Sequence, residues 1–195
     1  MNDSSDCSTS ASESPEPPED PSESTDTPPA SFLIDRHDGL GQRSLKSQVE
    51  HAPGDVLAEF SGRRHFDHPS RMTVQVSEDA HIELSPTWLE LINHSCDPNV
   101  AFDTARMVLV ALRPIAAGDE LCFFYPSTEW TMQSPFECVC GSERCLGRIT
   151  GASRIAPATL SAYRLAPHIQ RLLAAQEGQE SRSIVGELLS FFAPA

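Results

Sequence analysis

Apolar positions recur with a period of two in short runs through the middle of the chain, and those runs predict strands. Residues 56–60 follow the turn Pro53-Gly54-Asp55 and read as a strand ending on Phe60. Residues 72–76 and 81–84 alternate on either side of Ser77-Glu78-Asp79, which predicts a hairpin whose edge could receive a peptide. Residues 100–102 and 107–112 form a second hairpin, and residues 121–125 the last core strand. Trp88-Leu89-Glu90-Leu91-Ile92 reads as a short helix, with Ser85 as its cap and Pro86 at its first position. The polar stretch 63–71 reads as a solvated loop, and its His65 and His68 lack the carboxylate or thiol partners of a metal site. Residues 157–176 place Leu160, Tyr163, Leu165, Ile169, Leu172 and Leu173 largely on one helical face, with Pro167 as a break or kink, and residues 184–189 add a second apolar segment. The fold class expected is mainly β with short helices (α+β) and C-terminal helices.

Residues 1–30 differ in kind. They are rich in Ser, Pro, Asp, Glu and Thr, and lack aromatic residues and Ile, Leu and Val, so they cannot bury enough apolar area to offset the entropy of ordering. The expected organisation is therefore a disordered acidic tail over 1–30, a folded domain over 31–130, a cysteine segment over 131–150 and a helical extension over 151–195. The net charge is −14, and the tail supplies eight of the negative charges, leaving −6 on the rest. That balance argues against direct nucleic-acid binding, which needs a basic surface. No run approaches ~20 apolar residues, so no membrane span is expected. No signal peptide is read at the start, and nucleus and cytoplasm both stay open.

Chemistry concentrates in three places. Asn93-His94-Ser95-Cys96-Asp97-Pro98-Asn99 packs polar side chains between two core elements, where buried polar groups need partners. Glu120-Leu121-Cys122-Phe123-Phe124-Tyr125 follows the turn at Gly118. Cys138, Cys140 and Cys145 form a C-x-C-x4-C cluster too tight for a disulfide framework and suited to a metal. Structural zinc takes four ligands, so a fourth is needed, from Cys96, Cys122 or a histidine.

In this order and spacing the three stretches resemble the SET-domain protein-lysine methyltransferases with a post-SET zinc segment, across roughly residues 32–150. The resemblance implies a SET-type fold of small sheets around a threaded central motif, S-adenosyl-L-methionine as cofactor, and one structural zinc held by Cys96, Cys138, Cys140 and Cys145. It implies cofactor contacts from Gly39 and Gly41 of a G-x-G pair, from Asn93 and His94, and from Tyr125. It makes Tyr125 the residue that orients the amine. Phe123, where a Tyr would tend to stop the reaction at one methyl, favours di- or trimethylation. Phe136 and Trp130 are candidates to stack on the adenine, and Phe60, Phe123 and Phe124 to wall an apolar channel. The expected partner is a lysine-containing protein or peptide, histone or not. Phe60 and Phe124 stand where the family usually has Tyr and Asp, which leaves a second reading: a zinc-stapled SET-like binding module without turnover. A third reading, a redox-sensing thiol protein, rests on the cysteines alone.

Overall fold

A computed structural model describes residues 27–36 and 43–191 of the chain. Twelve short strands and two helices are described: β1 (Phe32–Arg36), β2 (Arg43–Ser47), β3 (Val56–Glu59), β4 (Ser61–Phe66), β5 (Thr73–Gln75), β6 (His81–Ser85), β7 (Asn93–His94), β8 (Val100–Asp103), β9 (Val108–Ala111), β10 (Cys122–Phe123), β11 (Phe136–Glu137), β12 (Arg148–Ile149), α1 (Pro157–Leu160) and α2 (Pro167–Phe191). They make five small sheets, ordered β1-β2, β3-β9-β8, β4-β6-β5, β7-β10 and β11-β12. All pairings are antiparallel except β7 with β10.

The two expected hairpins form as β5-β6 and β8-β9. The stretch expected as a solvated loop instead begins with the last four residues of β4, which pairs along β6. Its polar residues hid it, because β4 is an edge strand whose side chains serve an ion pair rather than the core. Arg64 donates twice to the Glu83 carboxylate, at 2.6 Å each, and Arg63 reaches the same group at 3.1 Å. Glu83 is buried in the central strand β6, and these guanidinium groups hold its carboxyl below the usual range. Residues 87–91 form a 3-10 turn with no side-chain cap, and Ser85 belongs to β6.

One apolar core joins Leu45, Ile82, Leu84, Trp88, Leu89, Ile92, Phe102, Leu109, Ile115 and Leu121 between the sheets. A second, smaller core gathers Phe124, Ala152, Leu160, Ala166 and Ile169, with Trp130 and Tyr163 packed on it. This second core is how the C-terminal part is attached. The amphipathic run 157–176 is not one helix: α1 ends at Leu160, and Pro167 opens α2, where its missing N–H costs nothing. The segment between them lies against residues 96–128. Gly151 marks the closest crossing, since a Cβ there would overlap the Trp130 carbonyl oxygen. Among the described residues no helix is long and apolar enough to cross a membrane.

Candidate active site and metal centre

The central motif is held by a backbone exchange rather than by a long ladder. β7 lies parallel to β10, with Asn93 beside Cys122 and His94 beside Phe123. Ser95 N–H donates to the Phe123 carbonyl at 3.0 Å, and Asn99 N–H to the Cys122 carbonyl at 3.1 Å. The Asn99 side chain then closes the pairing in both directions. Its Oδ1 accepts from Cys122 N–H and its Nδ2 donates to the Glu120 carbonyl, both at 2.8 Å. Asn99 is buried, and this pairing satisfies backbone groups that strands of two residues cannot satisfy alone.

Asn93 Nδ2 donates to the Arg43 carbonyl at 3.0 Å and to Glu120 Oε1 at 2.9 Å. Arg43 is the first residue after the stretch that holds Gly39 and Gly41, two site positions that lie outside the described residues. His94 is enclosed by Phe124, Tyr125 and Phe136 at ring-centroid distances of 5.2–5.7 Å. Its Nδ1 accepts from Tyr125 N–H at 3.3 Å, which assigns the proton to Nε2, 3.3 Å from Cys96 Sγ. Burial lowers its pKa to about 4, so the ring is neutral.

Cys96, Cys138, Cys140 and Cys145 converge, with all four sulfurs within 4.8 Å of one another. The Cys96 and Cys138 sulfurs are 4.0 Å apart. Four thiolates about 2.3 Å from one zinc ion sit about 3.8 Å from each other, so this quartet fits a tetrahedral ion with little movement. Cys122, the other thiol candidate, is outside the quartet. Second contacts support the cluster: Leu146 N–H approaches Cys96 Sγ at 3.4 Å, and Arg144 donates to Asp97 Oδ1 at 2.8 Å. Burial lifts the Cys96 thiol to about 11 and also raises Cys138. Burial pushes Cys140 the same way, but hydrogen bonds at the Cys96 and Ser142 backbone outweigh it and bring that thiol down to about 6. A dication would draw the remaining protons off.

Beside the quartet opens a cavity of about 820 Å3, of the size that holds a nucleotide-sized cofactor together with a substrate side chain. Asn93, His94, Tyr125 and Phe136 line it, as do Phe123 and Cys122. Tyr125 O–H donates to the Ile92 carbonyl at 3.4 Å, and burial raises its pKa to about 12, so the phenol stays protonated. Leu84, Leu89, Ile92, Phe102 and Phe123 make one wall apolar. Among the described residues, Glu90, Glu120, Glu129 and Glu137 line the cavity, with Arg71 as the one arginine there.

The sequence patterns of the SET domain family match residues 7–126. The chain belongs to the SET-domain family. Its relatives in that family include "Methyltransferase flvH" of Aspergillus flavus, 46% identical over 136 residues, which are 69% of this chain and 76% of that protein. The histone H3 lysine-36 specific lysine N-methyltransferase of Saccharomyces cerevisiae is 27% identical over 151 residues, 68% of this chain and only 20% of that enzyme. Among solved structures, KRYPTONITE with DNA, a histone H3 peptide and SAH aligns at a TM-score of 0.49 and 21% identity, over 60% of this chain and 29% of that one.

Within this SET domain the structure corrects three expectations. Phe124 does not wall the cavity: it points the other way and stacks on Tyr163, with centroids 3.7 Å apart and planes 7° from parallel. Phe60 packs edge-on against Phe102 in the core, and Phe102 is the phenylalanine that reaches the cavity. Trp130 belongs to the second core, leaving Phe136 as the adenine-stacking candidate at the cavity. Glu129, a lone glutamate between Thr128 and Trp130, carries no signal of burial in the sequence. It is 7% exposed, accepts from Gln75 N–H at 2.7 Å, and so closes the β5 edge at that residue while facing the cavity.

Proposed function

We propose that the chain is an S-adenosyl-L-methionine-dependent lysine N-methyltransferase acting on a protein or peptide, stapled by one structural zinc. The observation that carries this reading is the single cavity that brings Tyr125, Phe123, Asn93, His94 and Phe136 together beside the cysteine quartet.

The cofactor, when bound, supplies a methyl group on a sulfonium. The protein's part is to deliver a neutral, oriented amine and to keep water away. Leu84, Leu89, Ile92, Phe102 and Phe123 offer an ammonium no solvation, so the neutral amine is favoured on that wall. Apart from Glu129, which burial keeps protonated, the carboxyl side chains around the cavity favour arrival of a cation from solution, before it is desolvated. Tyr125 is held by its bond to the Ile92 carbonyl, and its oxygen keeps lone pairs free to accept an amine N–H. The Phe123 ring lies 4.6 Å from that of Tyr125, tilted by 38°, and carries no hydroxyl, so it adds no second acceptor to pin a monomethylated amine. That supports di- or trimethylation. Phe60 and Phe124 were the two departures that favoured a module without turnover. Both rings pack away from the cavity, so neither weakens the methyl-transfer reading.

The test is methyl incorporation from labelled S-adenosyl-L-methionine into lysine peptides and cell-extract proteins, with Tyr125→Phe as comparison. Wild-type protein should label acceptors, and the variant should lose at least about a hundredfold while keeping its fold and its zinc. Cofactor binding without any labelled acceptor would instead support the binding module.

A further inference from the structure

The C-terminal extension grips the back of the site along its length. Ala166 N–H donates to the Ser127 carbonyl at 2.9 Å, and His168 Nε2 lies 2.8 Å from the Thr128 carbonyl. Arg164 pairs with Asp103 at 2.9 Å. One residue of this segment touches both halves of the site at once. Tyr163 O–H donates to the Cys96 carbonyl at 3.0 Å, and its ring stacks face to face on Phe124.

Phe124 lies between Phe123 and Tyr125, in an extended stretch where neighbouring side chains point to opposite sides. Fixing the Phe124 ring behind the strand therefore fixes which way Phe123 and Tyr125 face in front of it. Cys96 is the quartet member that comes from the central motif, 42 residues before the other three begin. Holding its carbonyl fixes where the sulfur is presented.

We propose that Tyr163 is a positioning residue, which locks the Cys96 zinc ligand and the Tyr125 amine site into one register from behind. It assigns a role to the extension beyond covering the core, and it accounts for Phe124, a residue that would expose its ring if the extension were absent. The proposal rests on the methyl-transfer reading only for its catalytic half.

The experiment uses the full, zinc-loaded chain and two variants, Tyr163→Phe and Tyr163→Ala. Two quantities are read: the rate of zinc release to excess chromogenic chelator, and kcat and KM for methyl transfer to a lysine peptide. Tyr163→Phe loses the hydroxyl bond and keeps the stack. It should release zinc about three- to tenfold faster and lower kcat by a similar factor, with KM changed less than about twofold. Tyr163→Ala loses both contacts and should exceed those effects severalfold, so that Phe acts as partial rescue. The proposal is overturned if Tyr163→Phe matches wild type within about twofold in both rates, or if its loss of activity only follows its unfolded fraction. Should Tyr163→Ala not fold, Tyr163→Phe decides alone. Should the wild-type chain transfer no methyl group, the proposed function fails by itself and zinc release alone decides the role of Tyr163.

Discussion

Replacing Glu129 by Gln should change how stability depends on pH, and the size follows from the site. Burial is the largest influence on this carboxyl and pushes its pKa up to about 8, against 4.5 in the ordinary state. The folded protein therefore holds a proton that the unfolded chain releases. Glu129 costs nothing below its unfolded value, and its cost grows as pH rises toward the folded value. At about 1.36 kcal/mol per pH unit, the loss between about pH 5 and pH 8 comes to about 3.5 kcal/mol. The variant keeps an oxygen for the Gln75 N–H and removes the charge. His81 Nδ1, a buried nitrogen without a hydrogen-bond partner, lies 3.7 Å from the Glu129 carboxyl. At that distance the wild-type contact is not a hydrogen bond, and burial lowers the proton affinity of His81, so the imidazole is neutral and no ion pair offsets the cost. His168 is lowered by burial too. Both histidines contribute stability that is lost as pH falls, the opposite sign, and they do so equally in both proteins. Urea unfolding of the two zinc-loaded proteins at pH 5 and pH 8 isolates Glu129 as the difference. The variant should gain on wild type as pH rises, by about 3.5 kcal/mol across that interval. Parallel dependences, within about 0.5 kcal/mol, would refute a buried carboxyl at this position.

Three further changes probe the frame. Cys140→Ser should drop metal content from about one ion per chain to a small fraction of it, measured by elemental analysis, and lower the melting temperature. Asn99→Ala strands the Cys122 N–H and removes the bond to the Glu120 carbonyl, and should cost about 2 to 3 kcal/mol in denaturant unfolding. Gly151→Ala forces a methyl group against the Trp130 carbonyl and should cost about 2 kcal/mol or more by the same measurement.

The parts of the site that lie in contiguous motifs were readable, because there residue type and spacing carry the chemistry. The thiol spacing 138–140–145 announces a metal before any coordinates, and residues 93–99 announce a polar crossing. Which way a ring points was not readable. Strands of two residues and 3-10 turns have no run of alternation long enough to assign faces, so the sequence groups Phe60 and Phe124 with Phe123 and gives no sign that Phe102 reaches the cavity. Edge strand β4 was hidden because its partner for Arg63 and Arg64 is Glu83, nineteen residues on from Arg64. Apolar periodicity across 157–176 was real, but the turn after Leu160 lets Tyr163 reach Cys96, 67 residues away in sequence. Contacts of that range leave no local trace.

In the proposed reaction a neutral lysine amine is methylated between Tyr125 and a Phe123 that offers it no second hydrogen bond. Mass spectrometry of lysine peptides incubated with the zinc-loaded chain and S-adenosyl-L-methionine tests it most directly. Di- or trimethyllysine should form and disappear with Tyr125→Phe, and Phe123→Tyr should shift the product to monomethyllysine. Unmodified lysine throughout, or product that survives Tyr125→Phe undiminished, would contradict it.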